Sequence, residues 1–103
     1  MIRVSVMYPK TDDSTLDMTY YTTKHAALVS SLLTPAGMKS FVADEGLGSM
    51  APDQPAPFMC IGHMTFETVE AFQHAFGPNA QTIVGDIPNF TNVQPVVQIS
   101  RIV

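Results

Sequence analysis

Residues 17–32 read DMTYYTTKHAALVSSL, and the rest of the chain is organised around this stretch. Asp17 suits the N-cap of a helix, because its carboxylate can accept hydrogen bonds from backbone N–H groups of the first turn. Apolar side chains then recur at the spacing of one helix face, and His25 lies on the same face. These apolar residues are Met18, Tyr21, Leu28, Val29 and Leu32. The pattern predicts an amphipathic helix that ends near Leu33, before Pro35, and carries an inward-facing imidazole.

Four stretches of the chain predict β-strands. Residues 2–8 alternate between apolar and other side chains, which is the period of a half-buried strand. Residues 58–66 are largely apolar on both faces, as in a strand that is covered on both sides. Two further strands are predicted at residues 39–44 and 94–103.

A second helical region follows the third strand. Thr68 can cap a helix over residues 69–76, and a further helical turn is predicted over residues 78–84. The order is strand–helix–strand, then strand–helix–strand. It predicts an α+β fold of the ferredoxin-like split βαβ type, with a four-stranded antiparallel sheet and both helices on one face. In this fold the last strand lies next to the first.

The segment between the second and third strands is rich in glycine and proline. These residues are Gly46, Gly48, Pro52, Pro55 and Pro57. Such a composition excludes regular secondary structure. We interpret residues 46–57 as a surface loop, which is either a lid over a site or a plain connector.

The charge and composition of the chain exclude several classes of function. The formal net charge is −4 and the five basic residues are scattered, so we expect no binding to nucleic acid. No apolar run approaches the ~20 residues that span a bilayer, and the first residues show no signal-peptide pattern. We therefore expect no membrane association. Cys60 is interpreted as a small buried hydrophobe, and this single cysteine favours a reducing, cytoplasmic location.

One face of the predicted sheet has no helix to cover it. It would expose methionine or phenylalanine from the third strand and valine or isoleucine from the last, and such a patch needs a partner. The charged fraction of 14% is near half of the usual ~25%, which also favours an oligomer. We therefore expect a homodimer in which two sheets pack face to face.

Two histidines are candidates for chemistry. His25 is either a proton-transfer or ligand-orienting group in a pocket between the first helix and the sheet, or a core histidine whose nitrogens are satisfied by a backbone carbonyl and a tyrosine. His63, on the third strand, would approach His25 if its side chain points towards the helices. No spacing typical of a metal site occurs, so we expect no metal.

Three further residues are candidates for contacting a ligand near His25. Tyr21 lies on the inward stripe, so its hydroxyl needs a buried partner or a ligand. Tyr8, at the end of the first strand, is a candidate for the rim of the pocket. Asp86 belongs to the sequence Gly-Asp-Ile-Pro-Asn, where it is either a turn-forming residue or part of the pocket.

Four segments together resemble one known protein family. They are VSVMYP at the first strand, DMTYYTTKH at the first helix, IGHMTFETVEAF across the third strand and the following helix, and GDIPNFTNVQPVVQIS towards the end. This combination is similar to the EthD family, named for ethyl tert-butyl ether degradation, within the dimeric α+β-barrel superfamily. The resemblance covers nearly the whole chain. It implies a single EthD-like α+β-barrel domain over residues 1–103 and a homodimer.

The resemblance also implies a range of functions. Relatives in the superfamily include cofactor-free monooxygenases, polyketide cyclases, muconolactone isomerase and haem-binding enzymes, and a histidine of the first helix often lines their pocket. Carried onto this chain, that position is His25, with Tyr21, His63, Tyr8 and Asp86 as candidates for the pocket. We expect a cofactor-free enzyme of aromatic or xenobiotic catabolism or of secondary metabolism. Its reaction on a small organic molecule would be that of an oxygenase, an isomerase or a cyclase.

Two alternatives stay open. In the first, the chain is a non-catalytic small-molecule binding or accessory protein of a degradation pathway, and His25 anchors the ligand by a hydrogen bond. In the second, His25 or His63 is the axial ligand of a haem. An enclosed pocket with a second polar group within ~3.5 Å of His25 would favour the enzyme.

Overall fold

The sheet has four antiparallel strands in the order β2-β3-β1-β4 in a computed structural model that describes residues 1–103. The strands are β1 Ile2–Pro9, β2 Ser40–Glu45, β3 Phe58–Phe66 and β4 Val96–Arg101. Because β1 pairs with both β3 and β4, the predicted contact between the first and last strands is confirmed. Segment 46–57 contains no helix or strand, as predicted.

The helices lie in two regions. The first helix is a continuous run of three segments: α1 Met18–Tyr20, a π-helical segment Tyr21–His25, and α2 Ala26–Leu33. The second region holds α3 Val69–Phe76 and α4 Ala80–Asp86, with 3₁₀ turns over Gly77–Asn79 and Ile87–Asn89. This order of elements is the α+β ferredoxin-like fold that the sequence predicts. None of the helices combines the length and the apolar character that a membrane span requires.

Local rules explain where the helices begin and end. Asp17 Oδ1 accepts a hydrogen bond from the Tyr20 N–H at 3.0 Å, and Thr68 Oγ1 accepts one from the Ala71 N–H at 3.0 Å. Both predicted N-caps are therefore confirmed. After the first helix, Gly37 adopts a left-handed backbone conformation with φ of 124°, which lets the chain turn towards β2.

The helices cover one face of the sheet and form a core of two adjoining parts with it. The larger part contains nine buried residues: Val4, Val29, Leu33, Met38, Met64, Phe66, Phe72, Ala75 and Ile83. The smaller part contains four: Tyr8, Tyr21, Cys60 and Phe90. The smaller part is mostly aromatic and lies beside His25, so it forms the surroundings of the candidate site.

The other face of the sheet, here called the open face, is not covered by helices. Met7, Ile61 and Val96 lie on its apolar half, as the alternation along the strands predicts. The open face is nevertheless more polar than predicted, because Ser5 stands opposite both His63 of β3 and Gln98 of β4. A polar row thus crosses the middle of the face.

Candidate functional site

The first helix is distorted where it faces the sheet. Its fully buried side chains recur at intervals of four residues: Tyr21, His25, Val29 and Leu33. The predicted stripe is partly wrong, because Leu28 and Leu32 are only half-buried. The π-helical segment Tyr21–His25 has more residues per turn than an α-helix, so residues four apart stay in line. His25 faces inward, as predicted.

Threonine side chains favour the π-helical conformation at this point. Thr22 Oγ1 donates to the Met18 carbonyl oxygen at 2.7 Å, and Thr23 makes the corresponding bond one residue further on. Such bonds compete with the backbone N–H groups for the carbonyls and loosen the helix. The Ala26 N–H then reaches back five residues to the Tyr21 carbonyl. Segments of this kind occur frequently at functional sites.

A carboxylate from the other end of the chain holds His25. Nδ1 of His25 lies 2.9 Å from Oδ2 of Asp86, the last residue of α4. The other carboxylate oxygen, Oδ1, accepts hydrogen bonds from the Tyr20 hydroxyl at 2.7 Å and from the Asn89 side-chain amide at 3.0 Å. Three donors therefore fix the position of this carboxylate, and the carboxylate fixes the ring of His25.

The Asp86 carboxyl group is ionised at neutral pH. Partial burial raises its pKa, but hydrogen bonds from Asn89, Tyr20 and His25 outweigh that effect, so the pKa lies below its ordinary value. The hydrogen bond to Asp86 raises the pKa of the Tyr20 hydroxyl, which stays a donor. Because an ionised carboxylate only accepts hydrogen bonds, Nδ1 of His25 carries the proton. In the neutral ring, Nε2 then has the free lone pair.

Nε2 of His25 faces a cavity. This nitrogen has no hydrogen-bond partner within the chain, whereas every fully buried polar side-chain atom has one. It is therefore not sealed in the core but opens onto the cavity that His25 lines. One ring nitrogen of His25 is therefore held by a hydrogen bond, and the other is free to contact a ligand.

The cavity lies between the helices and the helix-facing side of the sheet. It has a volume of about 130 Å³, and 14 of its 17 lining residues are hydrophobic. Most of the lining is buried, but Val84 of α4 and Val97 of β4 are exposed. The mouth of the cavity therefore lies between α4 and the edge strand β4.

Aromatic rings hold the imidazole of His25 from two directions. The ring centroid of Phe90 is 4.6 Å from that of His25, and Tyr21 stacks on His25 at 5.5 Å with an interplanar angle of 27°. Tyr21 in turn packs edge-on against Tyr8 at 5.7 Å and against Phe90 at 5.2 Å. The imidazole therefore has little room to turn.

The other ionisable groups at the cavity, and Cys60 beside it, stay protonated. Burial raises the pKa of both Tyr8 and Tyr21 far above the ordinary value. Cys60 lies beside the Tyr21 hydroxyl, and burial is the main reason that the pKa of its thiol is raised to about 11. A thiol of this kind is not a nucleophile at neutral pH. Among the residues that line the cavity, His25 is therefore the one whose side chain can accept a proton at neutral pH.

Four of the five predicted site residues come together in the structure. His25, Tyr21 and Tyr8 line the cavity. Asp86 is not part of the lining; it contacts Nδ1 of His25 from behind. Of the two interpretations of Asp86, the structure therefore supports a place in the site, although it also begins the turn after α4.

The predicted approach of His63 to His25 is wrong. Gly62 and Met64 are the residues of β3 that line the cavity, and successive side chains of a strand point to opposite faces. His63 therefore lies on the open face. There its Nε2 is 3.0 Å from Asp44 Oδ2, and its Nδ1 is 3.4 Å from Ser5 Oγ. It is not a pocket residue.

The residues of the site that were not predicted from the sequence include Tyr20, Gly62 and Phe90. A glycine inside an apolar strand indicates that another group approaches the backbone closely, and this signal was available for Gly62. Tyr20 and Phe90 carry no comparable signal. Their contacts with Asp86 and His25 depend on the π-helical segment and on the turn after α4.

The residues present do not fit a metal ion or a haem. No three His, Cys, Asp or Glu side chains are arranged to bind a metal ion. A cavity of about 150 Å³ admits benzene, and a porphyrin is several times larger than this cavity of about 130 Å³. His63 contacts Asp44 and Ser5 on the open face instead of facing a cavity.

Comparisons with known proteins place these features in a family. The model of the EthD domain matches residues 13–94. An EthD-like protein from Ralstonia eutropha JMP134 has a crystal structure with a TM-score of 0.93 and 32% identity, over 99% of this chain and 91% of that one. No curated protein sequence matches the chain.

More distant structures share the fold. An EthD family protein from Bacillus halodurans C-125 gives a TM-score of 0.67 at 17% identity, over 100% of this chain and 99% of that one. A dimeric ferredoxin-like protein of unknown function from Thermobifida fusca YX gives 0.59 at 14% identity, over 98% and 90%. The match to the domain model and the 32% identity to the Ralstonia protein decide the assignment: this chain belongs to the EthD family.

Proposed function

We propose that the chain binds a small, largely apolar organic molecule in the cavity and that His25 transfers a proton to or from it. The geometry of His25 carries this proposal. Asp86 holds Nδ1 at 2.9 Å, while Nε2 has no partner in the protein and opens onto the cavity. A histidine that is oriented through one nitrogen and presents the other to a substrate has the arrangement of a general base.

Asp86 assists the reaction in two ways. It fixes the tautomer and the orientation of the imidazole, and its charge stabilises the imidazolium that forms when Nε2 accepts a proton. Hydrogen bonds keep the pKa of Asp86 low, so the carboxylate stays charged and does not itself take up the proton. A proton removed from a bound acid therefore rests on Nε2 until it is returned to the product or to water.

Size and polarity define the class of ligand. Since a cavity of about 150 Å³ holds benzene, a volume of about 130 Å³ suits one six-membered ring or a compact molecule of similar bulk. Tyr8 and Tyr21, which also line the cavity, are neutral and can donate hydrogen bonds. The ligand that matches is apolar over most of its surface. It has an acidic O–H or C–H for His25 and an oxygen that can accept from a tyrosine.

This chemistry suits the breakdown of small organic compounds or their use in secondary metabolism. Cofactor-free oxygenases, isomerases and cyclases can each begin by removing a proton from an activated carbon or hydroxyl group. The family name, which refers to ethyl tert-butyl ether degradation, supports a role in xenobiotic catabolism. A cytoplasmic location is supported by the free buried thiol of Cys60.

A second candidate function is binding without turnover, as in an accessory protein of a degradation pathway. The composition of the cavity favours it, because 14 of 17 lining residues are hydrophobic and His25 is the only lining residue that can accept a proton. A reaction that needs two proton transfers would have to use one histidine twice. In this case His25 would anchor the ligand by a hydrogen bond.

We also propose that two copies associate through their open faces. Met7, Ile61 and Val96 give one half of this face an apolar surface, and Val42 and Val96 are 57% and 52% exposed in the single chain. The relative from Thermobifida fusca is described as dimeric. A stable interface buries more than about 1,000 Å² in total. Sedimentation at micromolar concentration should give the mass of a dimer, and a monomer at every concentration would contradict this proposal.

Binding is tested with phenol and toluene, which have nearly the same size. Both suit a cavity that admits benzene, but only phenol can donate a hydrogen bond to Nε2 of His25. In NMR titrations we expect phenol to bind about tenfold more tightly, which corresponds to about 1.4 kcal/mol for one hydrogen bond. His25→Phe should abolish the preference. Equal affinities of the unmodified protein for the two probes would contradict the role of His25.

Turnover is tested with acetylacetone, a compact 1,3-diketone with an acidic C–H bond. In D₂O a general base exchanges this proton for deuterium, and proton NMR follows the initial rate. We expect the exchange rate with the protein to be about 10²-fold or more above the rate with an equal concentration of free imidazole. His25→Phe should reduce the rate to that of free imidazole. A rate equal to that of free imidazole, with the phenol preference intact, would favour binding without turnover.

A further inference from the structure

Gly62 interrupts β3 on the side of the strand that lines the cavity. It is buried and pairs with Val6 of β1 and Ala43 of β2 in the middle of the sheet. Glycine is unfavourable inside a strand, because it loses more conformational freedom on folding than other residues and adds no side chain to the packing. A glycine at this position therefore needs a local reason.

The reason is the hydroxyl group of Tyr21. A methyl group added at position 62 would overlap the Tyr21 hydroxyl oxygen. The same methyl group would lie 3.7 Å from Tyr21 Cζ and 3.8 Å from Phe41 Cζ, which are ordinary contacts. The Tyr21 hydroxyl oxygen, which reaches from the first helix to the sheet, therefore leaves no room for a side chain at position 62.

Tyr21 has little freedom to make room. Its ring is 1% exposed and packs edge-on against Tyr8 and Phe90 at centroid distances of 5.7 and 5.2 Å. It also stacks on His25 at 5.5 Å. A shift of the Tyr21 ring away from the sheet is therefore passed on to the imidazole.

We propose that Gly62 is a positioning residue for His25 and acts through Tyr21. The absence of a side chain at position 62 lets the Tyr21 hydroxyl lie against the sheet. In this position the Tyr21 ring stacks on the imidazole of His25 and keeps its Nε2 directed towards the cavity. The catalytic meaning of this arrangement rests on the proposed function, whereas the contact between Gly62 and Tyr21 does not.

The test is a double-variant cycle of Gly62→Ala and Tyr21→Phe. Gly62→Ala should lower acetylacetone exchange by about 10²-fold, which is the cost of misplacing a catalytic group by about 1 Å. Tyr21→Phe removes the oxygen that the new methyl group would meet. The double variant should therefore exchange at a rate within about twofold of Tyr21→Phe alone. Gly77→Ala is the control, because a methyl group there meets nothing within 4 Å, and it should keep the full rate.

The NMR signals of the His25 ring distinguish a positioning role of Gly62 from a purely structural one. Gly62→Ala should shift these signals, and the double variant should return them to their positions in Tyr21→Phe. If Gly62→Ala only lowers the thermal midpoint and leaves both the His25 signals and the exchange rate unchanged, the proposal is overturned. It is also overturned if the double variant is as impaired as Gly62→Ala.

The remaining outcomes are also decisive. If Gly62→Ala does not fold, a folded double variant supports the proposal and an unfolded one overturns it. If the unmodified protein shows neither exchange nor a preference for phenol, the proposed function fails. The His25 signals in the double variant then decide alone: their return to the Tyr21→Phe positions supports the role of Gly62, and their failure to return overturns it.

Discussion

Two histidine–aspartate pairs lie on opposite sides of the same sheet, with hydrogen bonds of almost equal length. His25 Nδ1 is 2.9 Å from Asp86, and His63 Nε2 is 3.0 Å from Asp44. Their surroundings differ. The side chains of the first pair are 5% and 14% exposed, whereas those of the second are 23% and 70% exposed. One pair is enclosed by the helices, and the other stands on the open face.

The comparison shows that a short distance between histidine and aspartate does not by itself mark a reactive histidine. Asp86 has two further donors and a lowered pKa, and the second nitrogen of His25 is free to meet a ligand. Asp44 is largely in water, where an ion pair contributes only ~0–1 kcal/mol. The second nitrogen of His63 already faces Ser5 Oγ at 3.4 Å. Burial of the carboxylate and a free nitrogen distinguish the candidate site.

The largest difference should come from the same substitution in both pairs. In Asp86→Asn the new amide can present N–H to Nδ1 of His25, which favours the tautomer with its proton on Nε2, so that Nε2 can no longer act as the proposed base. We expect acetylacetone exchange to fall by about 10²-fold or more and the free energy of unfolding in urea to fall by about 1–3 kcal/mol. Asp44→Asn should leave exchange unchanged and alter stability by less than about 0.5 kcal/mol. Equal effects of the two substitutions on exchange and on stability would contradict the distinction between the pairs.

The pH dependence of stability is the second way to separate the pairs. Because hydrogen bonds lower the pKa of Asp86 in the folded state, the unfolded chain takes up this proton at a higher pH than the folded chain does. The stabilisation is complete above the unfolded-state pKa of ~3.9 and is lost as pH falls through the lower folded-state pKa. The stability difference between the unmodified protein and Asp86→Asn should therefore shrink below about pH 4. A difference that stays constant during acidification would contradict this assignment.

The two pairs also show what the sequence could and could not predict. The bounds of β3 Phe58–Phe66 and the inward orientation of His25 follow from local periodicity. Alternation along β3 separates its two faces, but it does not say which face meets the helices. The face with Cys60 and Phe66 is the buried one, and this places His63 on the other side.

Local sequence patterns could not predict that Asp86 is the partner of His25. His25 and Asp86 are 61 residues apart, and their contact depends on how α4 and its following turn pack against the first helix. The π-helical segment adds a second difficulty, because it shifts the buried side of the helix away from regular α-helical spacing. The sequence therefore identifies Asp86 as a candidate, and only the packing shows that it supports His25.

A smaller effect is expected from Tyr20→Phe, which removes one donor to Asp86 and leaves Asn89 in place. We expect acetylacetone exchange to fall by about tenfold, near the lower end of what the loss of an outer hydrogen-bond partner costs. The hydrogen bond from Tyr20 also lowers the pKa of Asp86. Without it, the folded-state pKa moves up towards the unfolded-state value, so the loss of stability on acidification should be smaller and should be complete at a higher pH than in the unmodified protein. An unchanged acid profile would show that Asn89 and His25 suffice to keep the carboxylate ionised.

The smallest effect is expected from His63→Gln on the open face. In the single chain His63 contacts only Ser5 and the largely exposed Asp44 among polar side chains. Glutamine can hydrogen-bond to both, so stability should change by less than about 0.5 kcal/mol. Exchange should be unaffected, because the open face lies across the sheet from the cavity.

The same variant locates the second pair within the proposed dimer. Asp44 belongs to β2, an edge strand of the sheet, whereas His63 belongs to the inner strand β3, so the carboxylate end of the pair should lie near the rim of an interface between open faces. Rim charges affect association rates and salt dependence more than affinity. Sedimentation over a range of concentrations should therefore give a dimer Kd within about fivefold of the unmodified value, equivalent to ~1 kcal/mol. A rise of about a hundredfold would instead place His63 at the centre of the interface. The exposed pair would then be the one on which assembly depends, and its exposure in the single chain would describe a surface that the partner covers.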